Sequence, residues 1–402
     1  MQNTTTVHKL KYALLTIVLL ELFLGGTGRL LEISAFLTLR MCLFLGYMVL
    51  IVIYLFIGRT LPTEIVFITG FFIVINCLAM LNGYANGAAF ADIFEDIKPL
   101  LNIFLLCYLS FTIKTADDIR YMLKLIKISA VVLMVFHIVL YCIYLKYNDI
   151  AILYSAINSA QNDNTNFLFK GESGFLNYTG DIYLCIGFIV WDQYHKNSVL
   201  KYVMLALIMV AIMLTGTRGL IIALGGAYFL KWLILKFNYK SLVYIGFGVA
   251  LLLAVFISLQ GNIGDKDESD QTRYDQVNQV VERITPVSFV IGHGYGVGVP
   301  VRPIHMEISY LEVFHKQGII GLSYYAAILI IAYLAYKRCK RENALGFYMF
   351  ILFIYLVSAT NPYVNHPLGI TAIAVALVSM IKLGNMEKTL DVDLLSQPVI
   401  SE

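Results

Sequence analysis

Apolar residues run through this chain in blocks mostly of roughly 17–25, the length at which a helix crosses bilayer hydrocarbon. The blocks fall near 12–28, 33–57, 62–82, 97–113, 121–145, 177–194, 200–214, 219–236, 241–259, 318–336, 344–360 and 367–383. They predict about twelve transmembrane helices. A barrel would show alternating segments of about ten residues instead. Two long polar stretches interrupt the pattern, at 146–176 and at 260–317. Within the second, Val277, Val280, Val281 and Ile284 are spaced as on a short amphipathic helix over 274–284, lying on the membrane or capping the bundle.

Composition agrees with this pattern. Hydrophobic residues make up 59% of the 402 positions and charged ones only 14%, against roughly a quarter in soluble domains. The expected class is an all-α polytopic membrane protein, a single integral domain over 1–402. Its six cysteines sit in or beside apolar blocks without a CxxC pair, which suits small buried hydrophobes better than disulfides or metal ligands. The first block lacks a small-residue cleavage site, so no cleavable signal peptide is expected.

Net charge is only +3, so its distribution carries the information. Counting loops alternately, roughly 18 of the 29 basic residues fall on one face, which the positive-inside rule reads as cytoplasmic. Both termini are then expected in the cytoplasm and both long polar segments outside it.

Ionisable residues inside apolar blocks are costly and invite functional readings. Glu21 and Arg40 lie at similar depth in the first two blocks, as an orienting ion pair or as the lining of a polar substrate path. Asp92 and Asp96 are four apart beside Glu95 and Lys98, on a solvated re-entrant face or as sugar-binding carboxylates. His137 reads as a satisfied polar contact, and Asp181 stays ambivalent. Arg218 sits in the tight turn Thr215-Gly216-Thr217-Arg218-Gly219 between two blocks, where its fork of donors suits phosphate oxygens.

The densest polar chemistry lies in IGHGYGVGVPVRPIHMEISYLEVFHKQGIIGL, residues 291–322. Gly292, Gly294, Gly296 and Gly298 alternate without any βαβ context, so a dinucleotide-binding loop is excluded in favour of a backbone that closely approaches a ligand or helix. His305 and Glu307 follow at the expected start of a helix, and either suits a general base toward a sugar hydroxyl. Arg302, Arg273 and Arg283 are candidate anion-binding groups nearby. The His-x-Glu spacing is too short for a helical metal pair, so no metal is expected.

The turn TGTRG, the late loop with GHGYGVG and the run SYLEVFHKQGIIGL together resemble the O-antigen polymerase and ligase superfamily of Wzy-type and WaaL-type enzymes, over about 210–335. The resemblance implies a GT-C-like glycosyltransferase that needs neither metal nor nucleotide sugar. Its donor and acceptor would be glycans on undecaprenyl diphosphate, at the periplasmic face of the bacterial inner membrane. Membrane lipids and a polysaccharide chain-length regulator are candidate partners; nucleic acid is not. Counted back from Gly318-Ile319-Ile320-Gly321, the ligase family's basic residue falls on Glu307, with His305 two residues earlier, so the base stays open between them. Thr360-Asn361-Pro362-Tyr363 looks like a turn of the polymerases, and that branch is the expectation. The alternatives are a ligase that moves finished glycan to lipid A core and, more distantly, a lipid-linked oligosaccharide flippase or transporter.

Overall fold

The structure is a computed structural model describing residues 2–28, 32–34, 37–149, 151–153, 167–169, 174–236 and 267–388. The expected span at 241–259, most of the 146–176 segment and residues 260–266 of the 260–317 stretch lie outside these residues.

Helices dominate: α1 (Gln2–Leu24), α2 (Leu39–Phe56), α3 (Thr63–Ala85), α4 (Phe90–Ile97), α5 (Leu105–Thr112), α6 (Ala116–Tyr147), α7 (Ile182–Tyr194) and α8 (Val199–Leu214). They continue with α9 (Arg218–Lys236), α10 (Asp267–Glu282), α11 (Pro286–Ile291), α12 (Ser309–Arg338), α13 (Arg341–Val357) and α14 (Pro367–Glu387). Two short antiparallel hairpins, β1 (Glu32–Ser34) with β2 (Leu37–Thr38) and β3 (Phe167–Phe169) with β4 (Leu176–Tyr178), are the sheet content of the described residues. This is an all-α membrane protein.

Among the described residues, six helices (α2, α3, α6, α9, α12 and α14) are long and apolar enough to cross a membrane. Helix α14 is the axis of the bundle: 89% of its apolar window is buried, against 11% for α2 at the periphery. Its sequence explains the difference. Small residues such as Gly369, Ala372, Ala374, Ala376 and Ser379 allow close helix approach. On α2, Val49, Val52, Ile53 and Phe56 face outward, as a lipid-facing surface does.

Three departures from the apolar pattern have identifiable causes. The block at 97–113 is not one straight span. Pro99 ends the helical run after α4, a 3-10 turn covers Leu100–Phe104, and α5 follows with every residue buried. Eight residues rise only about 12 Å, too little to cross a bilayer. The second block starts later than expected, at Leu39, because Thr38 caps α2 by accepting from Met41 N. The block expected from 318 begins instead at Ser309, and Gly318 kinks α12 with φ 65°. A Cβ there would stand 2.3 Å from the Val290 carbonyl oxygen, so glycine lets α11 press against the helix.

The amphipathic segment expected at 274–284 is the second half of α10. Of its four apolar positions only Val280 is buried, against Val299 and Met306.

The ends of the bundle differ in chemistry. At one end basic residues are clamped: Lys11 to Asp118 at 2.5 Å, Lys201 and Lys231 to Asp192, and Arg338 to Glu64. The other end carries the glycine-rich segment and the loop before α14.

Candidate active site

The alternating glycines serve close approach between backbones. Gly294 (φ 90°) lies against Gly83 of α3, where a Cβ on it would stand 2.0 Å from the Gly83 nitrogen. Tyr295 then inserts between helices, with its hydroxyl bonded to Asn76 and Gln317, and burial pushes that hydroxyl well above its ordinary pKa. His293 N and Gly294 N donate to the carbonyls of His315 and Lys316 at 2.7 and 3.0 Å. The loop is thereby stitched to the first turns of α12.

Those turns carry the centre of the site. Lys316 Nζ is buried and donates to Asp96 Oδ1 at 2.7 Å, to Glu312 Oε1 at 2.6 Å and to the Ile304 carbonyl. Each carboxylate uses its second oxygen elsewhere. Asp96 Oδ2 accepts from Gly296 N at 2.7 Å, and Glu312 Oε2 accepts from Asn365 Nδ2 at 2.7 Å. Burial raises the Asp96 carboxyl above the usual carboxylate value, although Lys316 and the Gly296 N–H act against the rise.

His305 stands on the open side of this cluster. Its Nδ1 lies 3.6 Å from Asp96 Oδ1 and 3.5 Å from Glu312 Oε1, the same two oxygens that Lys316 bridges, and its side chain is 54% exposed. With Nδ1 turned to carboxylates, the other ring nitrogen is available to an incoming hydroxyl. The cleft in front of it is bordered by Pro99, Tyr295, Tyr325 and Asn365.

Glu307 occupies a different place. Its Oε2 accepts from Arg273 Nε at 3.0 Å and its Oε1 from Arg302 Nη2 at 2.6 Å, so both oxygens are engaged by guanidinium groups. Its backbone N donates to Gln276 at 3.0 Å. Arg283 lies on the same rim, donating to the Gly298 carbonyl at 2.8 Å. Burial first, and then the Arg283 charge, lower the neighbouring His293 below its ordinary pKa.

Arg218 begins α9, and among the described residues no carboxylate pairs with it. Its neighbour Gly219 abuts the last loop, where a Cβ would meet Asn361 Nδ2 at 2.8 Å and Thr360 Oγ1 at 2.9 Å. From there a polar chain leads to the cluster: the Ser309 hydroxyl lies 2.9 Å from the Asn361 carbonyl and 3.1 Å from Asn365 Oδ1, and Asn365 reaches Glu312. Glu21 and Arg40 do pair, with Arg40 Nε 3.0 Å from both carboxylate oxygens and Nη1 on the Gly26 carbonyl. The Arg40 charge also reaches His366 at the base of the last loop. His137 and Asp181 form a buried pair at 2.7 Å. Asp92 is half-buried and makes no ion pair among the described residues, so the pair expected with Asp96 splits into one core carboxylate and one peripheral one.

Glu312, Lys316, Asn365 and His366 were not among the residues anticipated. Glu312 and Lys316 are opposite charges four apart, a signal that becomes readable once the helix is seen to begin at Ser309.

The structure thus defines a polytopic helical membrane protein with a charged, partly buried side-chain cluster at one end of its bundle. The chain is similar to the O-antigen polymerase of Shigella flexneri, 25% identical over 385 residues, which cover 93% of this chain and 95% of that protein. The resemblance to Wzy-type O-antigen polymerases therefore extends over almost the whole length. No protein-family model matches the chain.

Proposed function

We propose that this protein is a glycosyltransferase that polymerises oligosaccharide repeat units carried on undecaprenyl diphosphate into O-antigen polysaccharide, at the outer face of the bacterial inner membrane. The observation that carries the reading is the convergence of His305, Asp96, Glu312 and Lys316, in a chain similar to an O-antigen polymerase over almost its whole length.

In this reaction the acceptor hydroxyl oxygen attacks the anomeric carbon of the donor glycan. His305 takes the hydroxyl proton. The bond from anomeric carbon to phosphate oxygen breaks, and the lipid diphosphate leaves with the electron pair. Two carboxylates facing Nδ1 orient the imidazole and favour the imidazolium as it forms. Neutralised by one ammonium, they leave the cluster at net −1 beforehand and near zero once the proton arrives. Glu307 fits an organising role better than a basic one, because its oxygens already accept from Arg273 and Arg302. Those two arginines and Arg218 suit the departing diphosphate, whose oxygens a guanidinium fork meets in pairs.

The Glu21–Arg40 pair fixes the α1–α2 hairpin. Both termini lie in the cytoplasm, with the clamped lysines and Arg338 at that end.

Polymerase and ligase differ in what their loss leaves behind. Deletion of this gene product is expected to give lipopolysaccharide bearing core plus one repeat unit on a gel. Bare core would instead identify a ligase.

A further inference from the structure

We propose that Lys316 is a tethered cation that fills the position a divalent metal ion would take between Asp96 and Glu312, and so acts as the positioning residue for His305. The inference deepens the function proposed above and rests on it for the role of His305.

Asp96, His305 and Glu312 have the makings of a metal site. One ligand atom from each lies within 4.8 Å of the others. Two carboxylates and an imidazole are hard and borderline donors of the kind that hold manganese or zinc. The centre between the carboxylates is taken, however, by the Lys316 ammonium. An ammonium has three N–H donors, and all three are used here, on Asp96 Oδ1, Glu312 Oε1 and the Ile304 carbonyl. The side chain is only 3% exposed, so water does not compete for them.

The fold builds this position. Lys316 lies one turn after Glu312, two residues before the Gly318 kink, and its own carbonyl accepts from Gly294 N at 3.0 Å. Asp96 lies buried in the last turn of α4, just before the break at Pro99. His305 Nδ1 faces the same two oxygens that the ammonium bridges. The oxygens are therefore held at one separation by Lys316, and that separation sets where the imidazole rests. A bound divalent ion would draw the imidazole nitrogen into its own coordination shell, whereas the ammonium leaves the ring free to exchange a proton.

Purified wild-type protein and a Lys316→Gln variant, titrated with Mn²⁺ and followed by the paramagnetic resonance of free Mn²⁺, test this directly. Wild type is expected to bind no Mn²⁺ at this site and to form polymer unchanged in EDTA. Lys316→Gln is expected to take up one Mn²⁺ per chain, with a melting temperature that rises on Mn²⁺ addition. Its polymer formation without metal should fall by about 100-fold, the scale of a displaced general base. Uptake should vanish in Asp96→Asn/Lys316→Gln. A Lys316→Gln protein that folds only with Mn²⁺ present also supports the proposal. One that fails to fold with or without Mn²⁺ overturns it, as does one that folds, binds no Mn²⁺ and polymerises normally. Stoichiometric Mn²⁺ on wild type, or EDTA-sensitive wild-type polymerisation, overturns it too. If wild type makes no polymer at all, the functional reading has failed, and the Mn²⁺ titration still decides whether Lys316 holds the cation position.

Discussion

Asn365 Nδ2 donates to Glu312 Oε2 at 2.7 Å and thereby ties the loop before α14 to the first turn of α12. The bond reaches across 53 residues and ends on one of the two carboxylates that face His305. It makes the last loop part of the site. Asn365→Leu should leave Glu312 with an unsatisfied buried oxygen, a loss of about 1–3 kcal/mol, and polymer formation should drop by at least tenfold. Asn365→Asp sets a second carboxylate against Glu312 and should do worse. Rates of polymer formation for the two variants, each normalised to folded protein, provide the check.

The Glu21–Arg40 pair should behave as a buried ion pair, since the two side chains are only 7% and 12% exposed. Removing one partner leaves the other uncompensated, at a cost of about 3–5 kcal/mol. Arg40→Ala is therefore expected to lower the melting temperature in detergent more than the doubly neutral Glu21→Gln/Arg40→Met. Equal losses in the two proteins would show that the pair is too well solvated to matter.

The role proposed for Arg218 is separable from stability. It is half-buried at the start of α9. Arg218→Ala cells should lose the long O-antigen ladder while keeping normal amounts of protein in the membrane. Arg218→Lys should recover only part of the ladder, because a point charge replaces a two-pronged donor. A full ladder from Arg218→Ala would remove the anion-binding role.

His366 gives the fold a pH dependence of definite sign. Burial, with the Arg40 charge and His305 nearby, lowers its imidazole to about 3. In its neutral form Nδ1 accepts from Leu368 N at 3.4 Å and caps α14. An unfolded imidazole titrates near pH 6.5, so below that pH the unfolded chain binds a proton that the folded chain refuses. The stability contributed is complete above about pH 6.5 and is lost progressively as pH falls toward 3. Between pH 7 and 5 the wild-type melting temperature should fall more steeply than that of His366→Asn, which keeps a capping acceptor and does not titrate.

Much of this organisation was legible in the chain. Equal depth in adjacent apolar blocks pointed to the pairing of Glu21 with Arg40. Alternating glycines without a nucleotide-binding context pointed to close backbone approach, which Gly294 makes against Gly83. What escaped was set by long-range geometry. Asp96 and Lys316 are 220 residues apart, and nothing local in either segment announces the other. Lys316 was hidden further because the start of α12 reads as the end of a polar loop, whereas Ser309 already begins the helix. His305 and Glu307, two residues apart, looked like rivals for one role. The structure separates them, since the chain is still irregular there and sends one toward the buried carboxylates and the other to the arginine rim.

That separation is the central claim, and one measurement addresses it most directly. Purified wild type, His305→Ala and Glu307→Gln would be incubated with lipid-linked repeat units and polymer length followed over time. The account predicts loss of about 100-fold or more in His305→Ala, the scale of a missing general base. Glu307→Gln, which keeps acceptor and donor atoms among the arginines, should retain measurable polymerisation. Full polymer from His305→Ala together with none from Glu307→Gln would contradict it.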